Sequence, residues 1–366
     1  MIWNMCLQSM RKSKKHFARQ KMAVLFSAAL VAGLVCGCSV SPGDGTSSGS
    51  MPEDPADHKL QIVTTIFPQY DFVRQIAGEH VSLQMLLKPG EETHSYEPTP
   101  QDIIAIMESD LFIYVGGEND EWVEDILDSP EMEDVRTLRL IDCVGETLSE
   151  EHVEGMQTER GHEHEEEHEH EEEQEHEHEE EQEETQTAHV HTLDEHVWTS
   201  PKKASEIVGR IEEELCSLDA SHAEEYRKNA EAYQTQLAGL DQAFRDVVDS
   251  SKRHTLLFGD RFPFRYFAAE YGLDYYAAFS GCASDTEPSA ATMAFLINKT
   301  KEENIPIILK MELSSDNIAN AIAEATGTEV RVFYSSHNIS AEQFEAGVTY
   351  LDLMEENVET LKEALQ

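Results

Sequence analysis

Hydrophobic and polar positions alternate along the chain in a pattern that predicts strands and helices in turn. Residues 60–67 (LQIVTTIF) are β-branched and apolar, as in a buried strand, and residues 69–79 then place apolar side chains at helical spacing. Further strand segments follow at 81–87 and 110–115, with a helix that begins at Thr99-Pro100 between them. Such alternation predicts a parallel sheet covered by helices on both faces.

The same alternation returns in the last third of the chain. Strands are predicted at 254–258, 274–279, 305–311 and 329–334, and a closing helix carries an apolar face from Phe344 to Leu365. Between the two halves, Ser200-Pro201 predicts a capped helix start. Residues 202–250 are almost all helix formers, which predicts one long helix or a pair of helices. The predicted fold class is therefore α/β, with two lobes, each a parallel sheet flanked by helices, joined by a long rigid linker helix.

The N-terminus has the pattern of an export signal. The first 21 residues carry six Lys or Arg and no acid, and residues 22–35 form an apolar run shorter than the ~20 residues that cross a bilayer. The run ends in Val35-Cys36-Gly37-Cys38, which resembles a bacterial lipobox. We expect cleavage before Cys38 and lipid attachment to it, and the alternatives are an ordinary signal peptide or an uncleaved anchor.

These patterns divide the chain into five predicted parts. They are a lipoprotein signal peptide (1–37), a flexible tether rich in Ser, Gly, Pro and Asp (38–57), an N-terminal α/β lobe with an insertion at about 150–190 (58–200), linker helices (201–251) and a C-terminal α/β lobe (252–366).

The charge of the chain limits its partners. Its 366 residues include 27 Lys and Arg against 73 Asp and Glu, a net charge of −46, and such a surface repels a phosphate backbone. No nucleic-acid partner is therefore expected. Six cysteines over this length cannot form a disulfide scaffold, and beyond Cys38 only Cys143, Cys216 and Cys282 remain, so one bridge at most is possible and its pairing stays open.

Much of the acidic charge lies in one low-complexity tract. Between residues 150 and 184 there are 19 Glu and one Arg, so almost nothing can be buried, and disorder or a frayed helix is predicted. Neutral imidazole is a good zinc ligand, and histidines alternate with the glutamates. They are His162, His164, His168, His170, His176 and His178. The tract is interpreted as an auxiliary zinc-gathering arm, the alternative being a solvated linker with incidental histidines.

Four candidate metal ligands follow predicted strands or precede predicted helices. Ligands of open parallel sheets bind beyond the carboxyl ends of the strands, and His94, His196, Asp260 and His337 fall there, two from each lobe. Three nitrogens and one carboxylate oxygen favour zinc, whereas more oxygen donors favour manganese. Asp260 has alternatives, because it could cap the next helix or pair with an arginine. No His-Glu-x-x-His string or nucleophile elbow occurs, so no enzymatic activity is predicted.

Several segments together resemble a known family. They are LQIVTTIFPQYDFVRQIAG, KPGEETHSYEPTPQDI, HVWTSPKKA after the His-rich insertion, and FPFRYFAAEYGL. These strings are similar to the zinc-uptake solute-binding lipoproteins of ABC transporters, the ZnuA-like branch of the metal-binding class, and the resemblance covers residues 58–366. It implies that two lobes hold Zn(II), with Mn(II) as an alternative cargo, and present it to an ABC permease and its ATPase. It also implies a monomer, lipid-anchored on the extracytoplasmic face of a bacterial cell membrane.

The resemblance also implies site residues. His94 and His196 correspond to the ligands of the first lobe. In the second lobe the family places a His or Glu shortly before a Tyr-Phe or Tyr-Leu pair, and GDRFPFRYF offers either Asp260 or Arg261, which cannot ligate. The last ligand of the family is commonly an acid, and its position corresponds to His337. Two alternatives remain, a manganese or broad divalent-metal receptor and a surface zinc buffer or adhesin that works through the tract.

Overall fold

The computed structural model describes residues 59–91, 96–157, 193–281, 283 and 287–366. Everything described here belongs to one unit, Ala56–Gln366. The predicted signal peptide, Cys38 and the tether lie outside the described residues. Within the described part of the chain, no helix is long and apolar enough to cross a membrane.

Four parallel strands form the sheet of the first lobe, in the order β2-β1-β3-β4. The strands are β1 (Leu60–Thr64), β2 (Val81–Met85), β3 (Leu111–Tyr114) and β4 (Thr137–Arg139). The helices of this lobe are α1 (Phe67–Ala77), α2 (Pro100–Met107) and α3 (Glu121–Leu127). All four residues of β3 are buried, as expected of a central parallel strand covered on both faces.

Two capped helix starts confirm the boundaries predicted from the sequence. The Thr99 side chain accepts from the backbone N–H of Asp102, and the Asp102 carboxylate accepts in return from the backbone N–H of Thr99. Ser200 likewise accepts from the backbone N–H of Lys203 where α4 (Pro201–Leu218) begins. A proline occupies the first turn of each helix, where its missing N–H has no helical partner to lose.

A second long helix, α5 (Ala223–Ser250), follows α4 after a short turn. Asp219 organises this turn, since its carboxylate accepts from the backbone N–H of Ser221 at 3.1 Å and from the Tyr226 hydroxyl at 2.8 Å. Tyr226 and Phe244 are fully buried on the inner face of α5. The 202–250 segment is thus a pair of helices, one of the two arrangements that its sequence predicts.

The second lobe repeats the topology of the first, with the parallel order β6-β5-β7-β8. The strands are β5 (Thr255–Phe262), β6 (Asp274–Ser280), β7 (Ile307–Lys310) and β8 (Glu329–Val332). The helices are α6 (Arg265–Tyr271), α7 (Ala290–Glu302), α8 (Asn317–Thr326), α9 (Ala341–Ala346) and α10 (Tyr350–Ala364). Helix α5 contacts α1 of the first lobe as well as α6 and α10 of the second, so the helix pair packs on both.

Some elements differ from the sequence predictions. Helix α3 and strand β4 were not predicted, and β4 has only three residues, too few to show an alternation. The closing helix is two helices, because Gly347 ends α9 with a φ of +76° that only glycine adopts without cost. Cys143 and Cys216 are free thiols, and Cys282 lies outside the described residues.

Several hydrogen bonds join the two lobes at the carboxyl ends of their sheets. Asn338, after β8, donates both amide hydrogens to the first lobe, to the carbonyls of Lys88 and Glu91 at 2.8 Å each. The backbone N–H of Gly90 donates to the carbonyl of Ile339 at 2.8 Å. We call these contacts the interlobe clasp. The clasp joins the 88–91 turn, which leads to His94, to the loop that carries His337.

Candidate metal centre

The segment that carries His196 is anchored on both sides before α4 begins. Leu193 pairs with Ser149 in an isolated antiparallel bridge, and the backbone N–H of Asp194 donates to the carbonyl of Leu148 at 2.8 Å. From the second lobe, the Tyr266 hydroxyl donates to the carbonyl of Asp194 at 2.8 Å. These contacts hold the short stretch 194–199, which is buried throughout, between the two sheets.

His196 is fully buried and is oriented by a carboxylate. Its Nδ1 lies 2.9 Å from Asp194 Oδ1, and the same oxygen accepts from the backbone N–H of His196. Its Nε2 is buried and has no hydrogen-bond partner among the described residues. A carboxylate on one ring nitrogen and an available lone pair on the other is the usual arrangement of a histidine that binds zinc.

His337 approaches His196 from the second lobe. The two ring centroids are 4.7 Å apart in an edge-to-face arrangement, and the Trp198 ring packs edge-to-face on His337 at 4.9 Å. The Trp198 indole donates to the carbonyl of Ser335 at 2.8 Å, which fixes the start of the His337 loop. Trp198 is itself fully buried, so the rings of Trp198 and His337 are both fixed on one side of the site.

Glu195 completes a group with the two histidines. Among the described residues, Glu195, His196 and His337 are the one set of three or more His, Cys, Asp or Glu whose ligand atoms converge, all within 4.8 Å of one another. Asn119 positions the glutamate, because its backbone N–H and its side-chain amide both donate to the carboxylate. Gly117 lies so close that a Cβ there would be 2.0 Å from Glu195 Oε2, so the approach requires glycine.

Negative charge is concentrated around this group. Burial, reinforced by the neighbouring Glu195 carboxylate, raises the pKa of Asp120 to about 7, and burial also raises the pKa of Glu195. Burial alone would lower the pKa of His196, but the carboxylates of Asp194 and Glu195 outweigh it and raise that pKa above its ordinary value. Buried acids beside two imidazoles destabilise one another and are stabilised by a cation.

Asp260, a candidate ligand from the sequence, is not brought into this group. Its Oδ2 accepts from the backbone N–H of Met311 at 2.9 Å and from the Ser314 hydroxyl, and its Oδ1 accepts from the backbone N–H of Arg261 at 2.8 Å. Both oxygens are therefore engaged in holding the loop after β7. Arg261 is buried beside it and contacts the carbonyl of Ala283 at 3.4 Å.

Other sequence candidates lie outside the described residues. His94 falls between Glu91 and Tyr96, the nearest described residues, and all six tract histidines fall between Gln157 and Leu193. The structure thus brings together His196 and His337, one from each lobe. Sequence reasoning missed Glu195 and Asp194. Glu195 and Asp194 stand directly before His196, and that adjacency is the signal that could have identified them.

The donor set fits a divalent metal ion. Two imidazoles and one carboxylate converge in a buried space, and His196 presents a lone pair into it. Imidazole nitrogens with one carboxylate oxygen match the preferences of zinc more closely than those of manganese or magnesium, which favour oxygen donors.

Comparison with known proteins gives the family. The profile of the family described as zinc-uptake complex component A, periplasmic (ZnuA), matches residues 62–364. The chain belongs to this family. It is 31% identical over 346 residues to the high-affinity zinc uptake system protein ZnuA of Bacillus subtilis, covering 94% of this chain and 98% of that protein. The resemblance inferred from the sequence motifs is thereby confirmed.

A further relative, AdcA, comes from Streptococcus pneumoniae. The zinc-binding lipoprotein AdcA is 32% identical over 308 residues, and the match spans 84% of this chain but only 56% of AdcA. The crystal structure of the Zn(II)-bound ZnuA-like domain of AdcA superimposes with a TM-score of 0.63 at 28% identity, over 84% of this chain and 99% of that domain. The predicted fold class, two parallel sheets flanked by helices, is confirmed by the two observed sheets and by this likeness. The rigidity of the linker stays a prediction.

Proposed function

We propose that this protein captures Zn(II) between its two lobes and delivers it to the permease of an ABC transporter. The observation that carries the proposal is the buried convergence of Glu195, His196 and His337 across the lobes. Capture for transport needs a buried site formed by both lobes, with no coordination position kept open for an activated water. The relatives named for zinc binding and zinc uptake support zinc as the cargo.

In this proposal His196 and His337 bind zinc through ring nitrogens and Glu195 supplies the carboxylate oxygen. We infer that Glu195 takes the role that sequence reasoning gave to Asp260, whose oxygens already accept three hydrogen bonds. His94, which lies outside the described residues, stays the fourth proposed ligand because the family resemblance assigns it that role. Three nitrogens and one oxygen favour zinc over manganese.

The cellular setting is also a proposal. Acylation of Cys38 would tether the protein to the extracytoplasmic face of a bacterial cell membrane, as the lipoprotein naming of AdcA supports. There it would work as a monomer with an ABC permease and its ATPase, and without catalytic activity of its own. The histidine tract would act as an auxiliary zinc-gathering arm.

Replacement of the tract tests this function against a zinc buffer. In a variant whose residues 158–192 are exchanged for a Gly-Ser segment of equal length, we expect one tight zinc site per chain to remain, because the described group lies outside the exchanged segment. Chelator-competition titration with zinc and with manganese measures it. Loss of the tight site in this variant would favour the buffer or adhesin alternative, and tighter manganese than zinc would favour the broad metal receptor.

Zinc affinity should fall as the pH decreases. Zinc must displace any proton on His196, and the carboxylates of Asp194 and Glu195 raise the pKa of this ring above the ordinary value of about 6.5. Protons therefore compete from a higher pH than for an ordinary histidine, and affinity begins to fall above pH ~6.5 and continues to fall below it. Dissociation constants measured at steps from pH ~8 to ~5 check this, and a constant affinity over that range contradicts histidine ligation.

A further inference from the structure

The loop that carries His337 has an unusual backbone conformation. Ser336 has a φ of +61°, in the left-handed region that non-glycine residues rarely adopt, and it is fully buried. Contacts on both sides hold it there. The Trp198 indole donates to the carbonyl of Ser335, and the backbone N–H of Phe67 donates to the carbonyl of His337 at 3.2 Å. Such strain persists where surrounding contacts determine the orientation of a functional side chain.

A chain of hydrogen bonds leads from Glu312 to His337. The Glu312 carboxylate accepts twice from Ser335, from the backbone N–H at Oε2 and from the hydroxyl at Oε1, each at 2.7 Å. The Ser335 Oγ then lies 3.0 Å from His337 Nδ1. Glu312 follows β7 and Ser335 follows β8, so the pairing of these two strands brings the groups together.

The chemistry of this chain decides which ring nitrogen carries the proton. A serine hydroxyl has one hydrogen, and here it is donated to the glutamate, so the Ser335 Oγ offers only lone pairs to the imidazole. His337 Nδ1 must then be the protonated nitrogen, and Nε2 keeps the lone pair that a metal needs. If the hydroxyl were free, it could donate to Nδ1 instead, and the proton would reside on Nε2.

We propose that Glu312 and Ser335 are positioning residues that fix the tautomer and orientation of His337 for zinc. The second lobe thereby presents its ligand ready for metal before zinc arrives. The expected change in zinc affinity rests on the function proposed above, whereas the expected tautomer of the metal-free His337 ring does not. Partners of this kind behind a ligating histidine change metal affinity by about 10–100-fold when they are removed.

The tautomer is measured first, without metal. Long-range ¹H–¹⁵N correlation spectra of the full chain, labelled at histidine and recorded near pH ~8 where an ordinary imidazole is neutral, identify the protonated nitrogen, and a His337→Gln spectrum assigns the signal. We expect Nδ1–H in the wild type. In Glu312→Gln one acceptor oxygen is lost, the hydroxyl is released, and the Nε2–H tautomer should become populated. An Nε2–H ring in the wild type would overturn the proposal.

Zinc affinity is measured next, with a matched control. Chelator competition should show affinity about 10–100-fold weaker in Glu312→Gln and in Ser335→Ala. Glu329→Gln removes the same charge from an exposed residue at the start of β8 and should leave both the tautomer and the affinity unchanged. If Glu312→Gln does not fold, Ser335→Ala takes its place, because it removes the hydrogen-bonded link between Glu312 and His337 without altering the glutamate.

The outcomes separate this proposal from the proposed function. A variant with an unchanged Nδ1–H tautomer and unchanged zinc affinity overturns the positioning role. Weakened affinity with an unchanged tautomer also overturns it, because that result describes general destabilisation rather than control of the ring. A wild-type chain that binds no zinc contradicts the proposed function, while the metal-free spectra still decide the role of Glu312 and Ser335.

Discussion

His196→Ala is expected to abolish tight zinc binding. The substitution removes a buried nitrogen ligand that Asp194 orients and that faces Glu195 and His337. Loss of an outer partner of a ligand costs about 10–100-fold in affinity, so loss of the ligand itself should exceed about a hundredfold. Chelator-competition titration of the full chain measures the change. The tract histidines remain in this variant, and only weak, rapidly exchanging zinc should be left.

His254→Ala is the matched control for this experiment. His254 is an exposed histidine just before β5, so its loss should leave the tight site intact. Thermal unfolding without metal shows whether each variant folds. If the His196→Ala protein folds and binds zinc with wild-type affinity, His196 is not a zinc ligand.

Asn338→Asp is expected to weaken zinc binding from outside the metal group. The asparagine donates two hydrogen bonds across the clasp and is 2% exposed, and an aspartate of the same shape can donate neither. The carboxylate would also face the carbonyls of Lys88 and Glu91. Two lost hydrogen bonds at about 0.5–1.5 kcal/mol each would destabilise the closed arrangement by about 2 kcal/mol, which lowers zinc affinity by up to about 30-fold.

Zinc release should show this effect most directly. A weaker clasp lets the lobes separate more often, so the dissociation rate measured with excess chelator should rise in Asn338→Asp. Asn320→Asp makes the same chemical change at an exposed position of α8 and should release zinc at the wild-type rate. Equal rates in the two variants would show that the clasp does not contribute to metal retention.

The sequence predicted the architecture because its signals are local. Apolar runs such as 60–67 and 110–115 and the capped starts at Thr99 and Ser200 appear at the expected places. Strand β4 was missed because only one of its three residues, Leu138, is buried, and the strand is defined by its pairing with β3 rather than by any pattern of its own. The end of α9 at Gly347 was missed because a glycine within an apolar helical pattern is also compatible with a continuous helix.

The site was predictable only in part, because side-chain direction depends on tertiary contacts. His196 and His337 were identified by their places before a helix and after a strand, and the structure brings them together. Asp260 met the same criterion, yet the pairing of β5 with β7 places the backbone N–H of Met311 within its reach. The hydrogen bond from Ser335 to Glu312 likewise depends on the pairing of β7 with β8. Contacts of this kind leave no local signal in the sequence.

The position of a bound zinc ion shows directly whether His196 and His337 are its ligands. Crystals of the full chain loaded with one equivalent of zinc, with anomalous diffraction recorded at the zinc edge, locate the metal without reference to any assumed ligand. We expect one strong peak about 2.0–2.2 Å from a ring nitrogen of His196 and from a ring nitrogen of His337, as the proposed ligand assignment requires. A principal zinc peak elsewhere, with these two rings bound to no metal, would contradict it.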